Sequence, residues 1–356
     1  MIPRGERPAL TGLRALAALW VLLFHLHLRA PLVETGPLAS VLAAGAGGMT
    51  LFFALSGFVL GLAYRGPVDL RAFLRARAAR LYPLYGAAAL LTLPWLLAPG
   101  PDLGALAVTV ILGALMLQAW FPQLFGMWNN PAAWSLSVEA AFYALFPALR
   151  AALAPLRAPG LWAVVAGCVA MAALLAAAHR LLPGGPGFAF AYANPAFRVP
   201  EFLAGLAAAR LCLLGVRADP RACAALAVAA AAALASWGHL GRPMDWTPLL
   251  LAATVALLMA AARAERGPLT WGPVLWLGRA SYAIYLMQFP VILGLPSLAA
   301  RLGLEPSPPA YWAAALALTV ALAALAHHGL ERPARARLAR APRAPRPAPT
   351  GQEAPA

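Results

Sequence analysis

Hydrophobic residues along this 356-residue chain fall into eleven blocks of about 20, separated by short runs rich in Arg, Pro and Gly. The blocks cover roughly 9–28, 42–63, 81–98, 105–120, 134–150, 161–181, 196–214, 221–238, 246–262, 273–295 and 309–330. A helix rises 1.5 Å per residue and the hydrocarbon of a bilayer is about 30 Å thick, so blocks of this length predict membrane-spanning helices. The expected fold class is all-α, a polytopic membrane protein.

The charges between blocks set the topology. With Arg4 and Arg7 ahead of the first block, a cytoplasmic N-terminus brings Arg65, Arg71, Arg75, Arg77 and Arg80 to the same side after the second block. If 105–120 were a full crossing, every later Arg cluster would be inverted. Reading 105–120 as re-entrant or interfacial instead puts Arg150 and Arg157, then Arg210, Arg217 and Arg221, then Arg263 and Arg266, and the tail from Arg332 to Arg346 on the cytoplasmic side. This predicts about ten transmembrane helices with both termini cytoplasmic. Outer loops keep only Arg29, Arg180, Arg198, Arg242 and Arg301. Residues 1–333 read as one membrane domain and 334–356 as a disordered basic tail rich in Pro, Ala and Arg that touches anionic lipid.

Composition agrees with the pattern: 62% of residues are hydrophobic, 11% are charged, and the mean hydropathy is +0.74, which no water-facing fold can accommodate. The formal net charge of +15 lies in the gaps between blocks, not on one soluble face, which argues against nucleic acid as a partner. Every basic side chain is Arg and none is Lys, a compositional bias that carries no function. Cys168, Cys212 and Cys223 lack metal-ligand spacing and read as packing residues, and no metal is expected. The first block resembles a signal peptide, but Arg14 and His25 interrupt it without a clear cleavage site, so it is expected to be retained.

Ionisable residues inside spans are costly and therefore candidates for function. Arg14 and His25 are eleven residues apart, which brings them onto one helix face about 16 Å apart along the axis. A guanidinium at the inner mouth can hold a phosphate, and an imidazole deeper in can take a proton from a hydroxyl, a span that suits an extended thioester. Against this stand a snorkelling anchor for Arg14 and an interhelical hydrogen bond for His25. Arg77 and Arg80, three residues apart, share a helical face at the cytoplasmic entry and fit a phosphate-rich ligand. Glu139 is embedded in apolar sequence and must be paired, protonated or facing water, with orientation of His25 as one role. Glu201, just after Pro200, reads as structural. Gly47, Gly48, Gly57 and Gly61 around Ser56 permit close helix contact, and packing is favoured over substrate contact for Ser56.

Together these segments resemble the acyltransferase 3 family from about Leu10 to Arg335. LTGLRALAALWVLLFH is similar to its basic residue, ten-residue gap and histidine; GGMTLFFALSGFVLG to its Ser-Gly-Phe signature; RARAARLYPLY to its Arg-x-x-Arg motif. WSLSVEAAFYALFP resembles its Trp-Ser-Leu-x-x-Glu element, FRVPEFLAGLAAA its Arg-x-x-x-Phe-Leu-x-Gly block, and LGRASYAIYLMQFPV with LERPAR its closing spans. Gln288 departs from the pattern where relatives often have His, and Ala140-Ala141 where they commonly have Glu-Gln.

The resemblance implies an acyltransferase of the bacterial inner membrane that uses acyl-CoA, usually acetyl-CoA, as co-substrate. Acceptors would be surface carbohydrate, glycolipid or glycosylated small molecules. It implies an essential His25. With the residues read above, His25 is expected to act as general base helped by Glu139, or through an acyl-histidine relay, with Arg14, Arg77 and Arg80 on the donor's phosphates. Ser56, Trp134, Ser135 and Tyr285 join as substrate-contacting or supporting residues. The rival reading is a transporter or exporter of a small acylated or glycosylated molecule, for which buried Arg, His and Glu are equally natural. Oligomeric state is not legible.

Overall fold

The computed structural model describes residues 7–121, 130–181, 188–240 and 243–338, and among these no strand occurs. Arg4, Arg242 and the tail beyond 338 lie outside the described residues. The chain begins with α1 (Pro8–Arg29). α2 (Gly36–Ala43) then runs through one tight turn, Ala44–Gly47, into α3 (Gly48–Ala63). α4 (Leu70–Leu97) is followed by the short α5 (Leu103–Ala114) and by α6 (Trp134–Leu153). Next come α7 (Ala158–Leu181), α8 (Phe188–Ala193), α9 (Pro195–Leu213), α10 (Pro220–Trp237) and α11 (Thr247–Ala261). α12 (Gly272–Arg279), α13 (Ser281–Arg301) and α14 (Pro308–Ala326) follow, and a π-helical turn, His327–Glu331, leads into α15 (Arg332–Leu338).

Eight helical runs among the described residues are long and apolar enough to cross a bilayer. They are α1, α2 with α3, α6, α7, α10, α11, α13, and α14 with α15. α4 and α9 are the two further helices that the hydrophobic pattern counts among its ten expected crossings. Both fall short of the others in apolarity for a visible reason: α4 carries Arg71, Arg75, Arg77 and Arg80 in its first turns, and α9 carries Arg198, Glu201 and Arg210. Asp69 and Asn194 cap these two helices, their side-chain oxygens accepting from the amides of Ala72 and Ala196.

α5 has 12 residues, a rise of about 18 Å, too little to cross. It is tied to α4 by the Tyr82 and Tyr85 hydroxyls, which donate to the carbonyls of Ala114 and Gly113 at 2.9 Å each. Met116, in a left-handed conformation (φ 54°), ends the helix: the Leu117 amide bonds back to Leu112 and the Met116 amide to Gly113. On either side of residues 122–129, which lie outside the described residues, Gln118, Ala119, Asn130 and Ala133 are buried. The irregular backbone there is satisfied by protein, as depth in a membrane demands: Gln118 Nε2 donates to Ala133 O and the Ala119 amide to Ser137 Oγ. The helical part of the 105–120 block is thus too short for a full crossing, in keeping with a re-entrant or interfacial segment, and α6 starts from buried residues.

Three arginines cap helix ends on one side of the bundle. Arg150 on α6 donates to Tyr64 O at the end of α3, Arg210 on α9 to Leu153 O and Ala154 O after α6, and Arg263 to Val216 O after α9. Each guanidinium satisfies the carbonyls that a neighbouring helix leaves open at its C-terminus. Basic loops therefore collect at one end of the bundle, called here the basic end. α15 extends helix to Leu338, five residues past the predicted end of the membrane domain.

The tightest crossing joins α3 and α9. A Cβ at Gly57 would overlap Phe202 O, and one at Gly205 would overlap Ala54 O. Small residues allow this approach, and van der Waals contact follows from it. Phe142 of α6 stacks on Phe202 with ring centroids 4.6 Å apart, fixing α6 against the same pair. Cys168, Cys212 and Cys223 are buried packing residues.

Candidate active site

Five of the helices line one cavity of about 60 Å³, and four of them bring polar residues to it. Arg14 comes from α1, Arg80 from α4, Ser135 and Glu139 from α6, and Tyr282 and Tyr285 from α13, while Phe52 of α3 supplies an apolar wall. Arg14 Nε donates to Ser281 Oγ at 3.3 Å, which ties the first span to the start of α13. Tyr282 donates to Leu81 O at 2.8 Å, tying α13 to α4 beside Arg80. Tyr285 and Ser135 both donate to Ala132 O, at 2.9 and 3.1 Å, which holds the entry into α6 on α13. Asn130, fully buried, adds a bond from Nδ2 to Leu286 O and accepts from the Ala132 amide.

A second recess, of about 400 Å³, opens at the basic end between α4 and α15. Arg77, Arg80, Arg332 and Arg335 line it. Arg80 lines both spaces and so stands as the wall between them. Arg77 lies over the rings of Phe73 and Tyr143, 5.6 and 5.9 Å from their centroids, and its buried Nε has no hydrogen-bond partner.

His25 stands farther along α1 and does not line the 60 Å³ cavity. Its Nδ1 is 2.8 Å from Val21 O, and its ring meets Phe24 and Phe289 edge-on at 5.1 and 4.8 Å. Gln288 lies within electrostatic range of it; the Gln288 Nε2 donates to Tyr285 O at 2.8 Å and its buried Oε1 has no hydrogen-bond partner. Tyr285 and Gln288 are one turn apart on α13, so the cavity ends about one turn short of the imidazole.

The expected pairing of Glu139 with His25 is therefore not what the geometry brings together. Glu139 lines the cavity with Arg14 and Arg80, whereas His25 stands outside it with Val21 and Gln288 as its neighbours. Its carboxylate accepts from Ser56 at 3.5 Å and from Tyr143, and it lies within electrostatic range of Arg14 and Arg80. Glu139 and Glu331 are the two acids within electrostatic range of these arginines. Trp134 also departs from the cavity: it packs on Phe53 and Tyr192 with centroids 5.9 and 4.8 Å apart.

Trp134 belongs to a separate buried cluster on α9. Arg198, expected in an outer loop, is 3% exposed. It donates from Nε to Tyr192 O and from Nη1 to Glu201 at 2.9 Å, with Cζ 4.4 Å from the Tyr192 ring centroid. Glu201 also accepts from Thr50 at 3.1 Å. The pair ties α9 to α3 and α8, a structural role that Glu201 was expected to have. Sequence reasoning missed Ser281, Tyr282, Glu331 and the His327–Glu331 pair, whose Nδ1 and Oε2 are 2.7 Å apart. The Tyr spacing in SYAIYL and the acid in LERPAR were the available signals.

A bundle of apolar helices that encloses a polar cavity, with a cationic recess at one end and an imidazole beyond it, is the architecture of a membrane-embedded group-transfer enzyme. The acyltransferase domain of the acyltransferase 3 family matches residues 7–328, nearly the whole chain, and the chain belongs to that family. It is similar to an acyltransferase, MdmB, of Streptomyces mycarofaciens, with 31% identity over 92% of this chain and 89% of the relative. It is also similar to protein 2 of the picA locus of Rhizobium radiobacter, with 35% identity over 38% of this chain and 78% of that protein. No solved structure matches. The protein is thus a multi-pass membrane acyltransferase.

Proposed function

We propose that the protein moves an acyl group, acetyl above all, from acyl-CoA to a hydroxyl of a carbohydrate or glycosylated small molecule. The donor enters at the basic end, which faces the cytoplasm of a bacterial inner membrane by the positive-inside bias. The acceptor meets it from the opposite end. The observation that carries this reading is Arg80, shared by the cationic recess and the internal cavity, with Arg14, Tyr282 and Tyr285 continuing a polar line to within one turn of His25.

Nδ1 of His25 faces a carbonyl, which can only accept, so Nδ1 carries the proton and Nε2 is the free base. As the acceptor hydroxyl attacks the thioester carbon, Nε2 takes its proton; the C–S bond breaks, and the thiolate leaves and is protonated in turn. Gln288 orients the ring. Arg14, Arg77 and Arg80 answer the donor's phosphates, with bidentate guanidinium geometry suited to them. Glu139 keeps Arg14 and Arg80 in place between turnovers.

Purified protein with labelled acetyl-CoA and a panel of glycosylated acceptors tests the reading. Transfer of label to acceptor with release of free thiol is expected. Movement of the acceptor across proteoliposomes without donor consumption would instead identify an exporter.

A further inference from the structure

LERPARARL begins at Leu330, inside the π-helical turn His327–Glu331 that follows α14. Such turns are rare and gather at functional sites, because one inserted residue rotates all that follows by about 100° about the axis. Here the rotation turns Glu331 inward, where it is 3% exposed, and sets Arg332 and Arg335 across from α4. Ala76 and Ala336 complete the lining of the 400 Å³ recess, and their short side chains leave its width to the arginines.

Four guanidiniums face this space, and Arg335 lies within electrostatic range of both Arg77 and Arg80. The acid against them is Glu331, 3.8 Å from Arg335, and that carboxylate is already engaged by His327. Arg332 Nη1 contacts His328 Nδ1 at 3.3 Å, and Arg77 keeps a buried Nε without a partner. Adding Arg14 and Glu139 from the adjoining cavity, five cations meet two anions. Arginines that only anchor the bundle in headgroups point outward around its rim; these converge on a recess.

We propose that Arg332 and Arg335 form the second jaw of a polyphosphate clamp, opposed to Arg77 and Arg80, with Glu331 holding Arg335 in register. The ligand is a phosphorylated nucleoside diphosphate, whose several negative charges match the uncompensated arginines. This rests on the acyl-CoA reading above and extends it to a segment past residue 328, where the family match ends. An anionic lipid headgroup shares the phosphate chemistry, so the experiment separates the two sources.

Full-length protein is reconstituted in nanodiscs of phosphatidylcholine alone and titrated calorimetrically with adenosine 3′,5′-bisphosphate and with CoA. Arg332→Ala and Arg335→Ala are each expected to raise Kd about tenfold, the effect of one charge-assisted hydrogen bond, and Arg335→Lys less. Arg75→Ala, on an exposed side chain that does not line the recess, is the control and binds as wild type. Unchanged melting temperatures show that the variants fold. Wild-type binding with unaltered affinity in both alanine variants overturns the clamp and leaves the donor reading intact. Absence of any CoA binding by wild type overturns the donor reading, and the clamp with it. If the two variants lose only their enrichment of phosphatidylglycerol in mixed discs, the jaw is a lipid site and the proposal fails.

Discussion

His25 Nδ1 stands 2.8 Å from the carbonyl oxygen of Val21, one turn back on the same helix. That contact consumes one ring nitrogen and leaves Nε2 as the nitrogen able to accept a proton. His25→Ala is expected to lower acyl transfer by about 10²- to 10⁴-fold, the usual contribution of a positioned general base. Donor affinity, measured by calorimetry, stays within about threefold of wild type. A variant that inserts normally and retains full transfer removes His25 from the chemistry.

Arg80 separates the recess from the cavity, so its loss acts on the donor. Arg80→Ala is expected to raise KM for acyl-CoA about tenfold or more, with a smaller change in kcat. Arg80→Lys recovers part of the loss, since a point charge cannot reproduce a planar fork. Steady-state kinetics at several donor concentrations check this, and a change confined to membrane insertion would make Arg80 a topology residue.

Glu139 and Gln288 have separable roles. In Glu139→Gln, Arg14 and Arg80 lose their carboxylate, so donor KM changes while the midpoint of the pH–rate profile stays in place. In Gln288→Leu the imidazole loses its polar neighbour, so the midpoint moves while donor KM is kept. The two profiles, recorded side by side, decide between this assignment and a Glu139–His25 pair.

The Arg198–Glu201 pair is a stability element. Removing one partner of a buried ion pair costs about 3–5 kcal/mol, so Glu201→Ala is expected to lower yield and melting temperature sharply. The double variant Arg198→Met, Glu201→Leu recovers much of that loss. Thermal unfolding in detergent provides the readout, and equal destabilisation by single and double variants contradicts the pairing.

Gly205→Val meets Ala54 O at the α3–α9 crossing. Overpacking of this kind costs about 1–3 kcal/mol or more. The expected result is a lower melting temperature, whereas Gly167→Val, where nothing lies within 4 Å, leaves it unchanged.

Hydropathy alone reveals most of the bundle, because spans such as α7 and α10 have few charges to obscure them. α4 appears in the sequence only as its apolar part, 81–98, because the arginines of its first turns dilute the signal. The Arg14–His25 face follows from helix arithmetic within one element, and it survives in the fold. What sequence lacks is the register between elements. Nothing in WSLSVEAAFYALFP tells at which depth Glu139 meets α1, so its partnership with arginine rather than histidine is invisible. Arg198 looks like a loop charge until α9 is packed on α3. The departure at Gln288 is legible as a difference, yet its contact with His25 depends on the pairing of α1 with α13.

The single turn of α13 from Tyr285 to Phe289 has a consequence for the cell beyond catalysis. A conduit open from one face of a membrane to the other would drain the proton gradient. With Phe289 against the His25 ring and Gln288 bonded back to Tyr285, that turn closes the cavity on the side of His25. On the acyl-CoA reading proposed above, a thioester that reaches His25 displaces it, so the barrier is expected to close again once the donor has left.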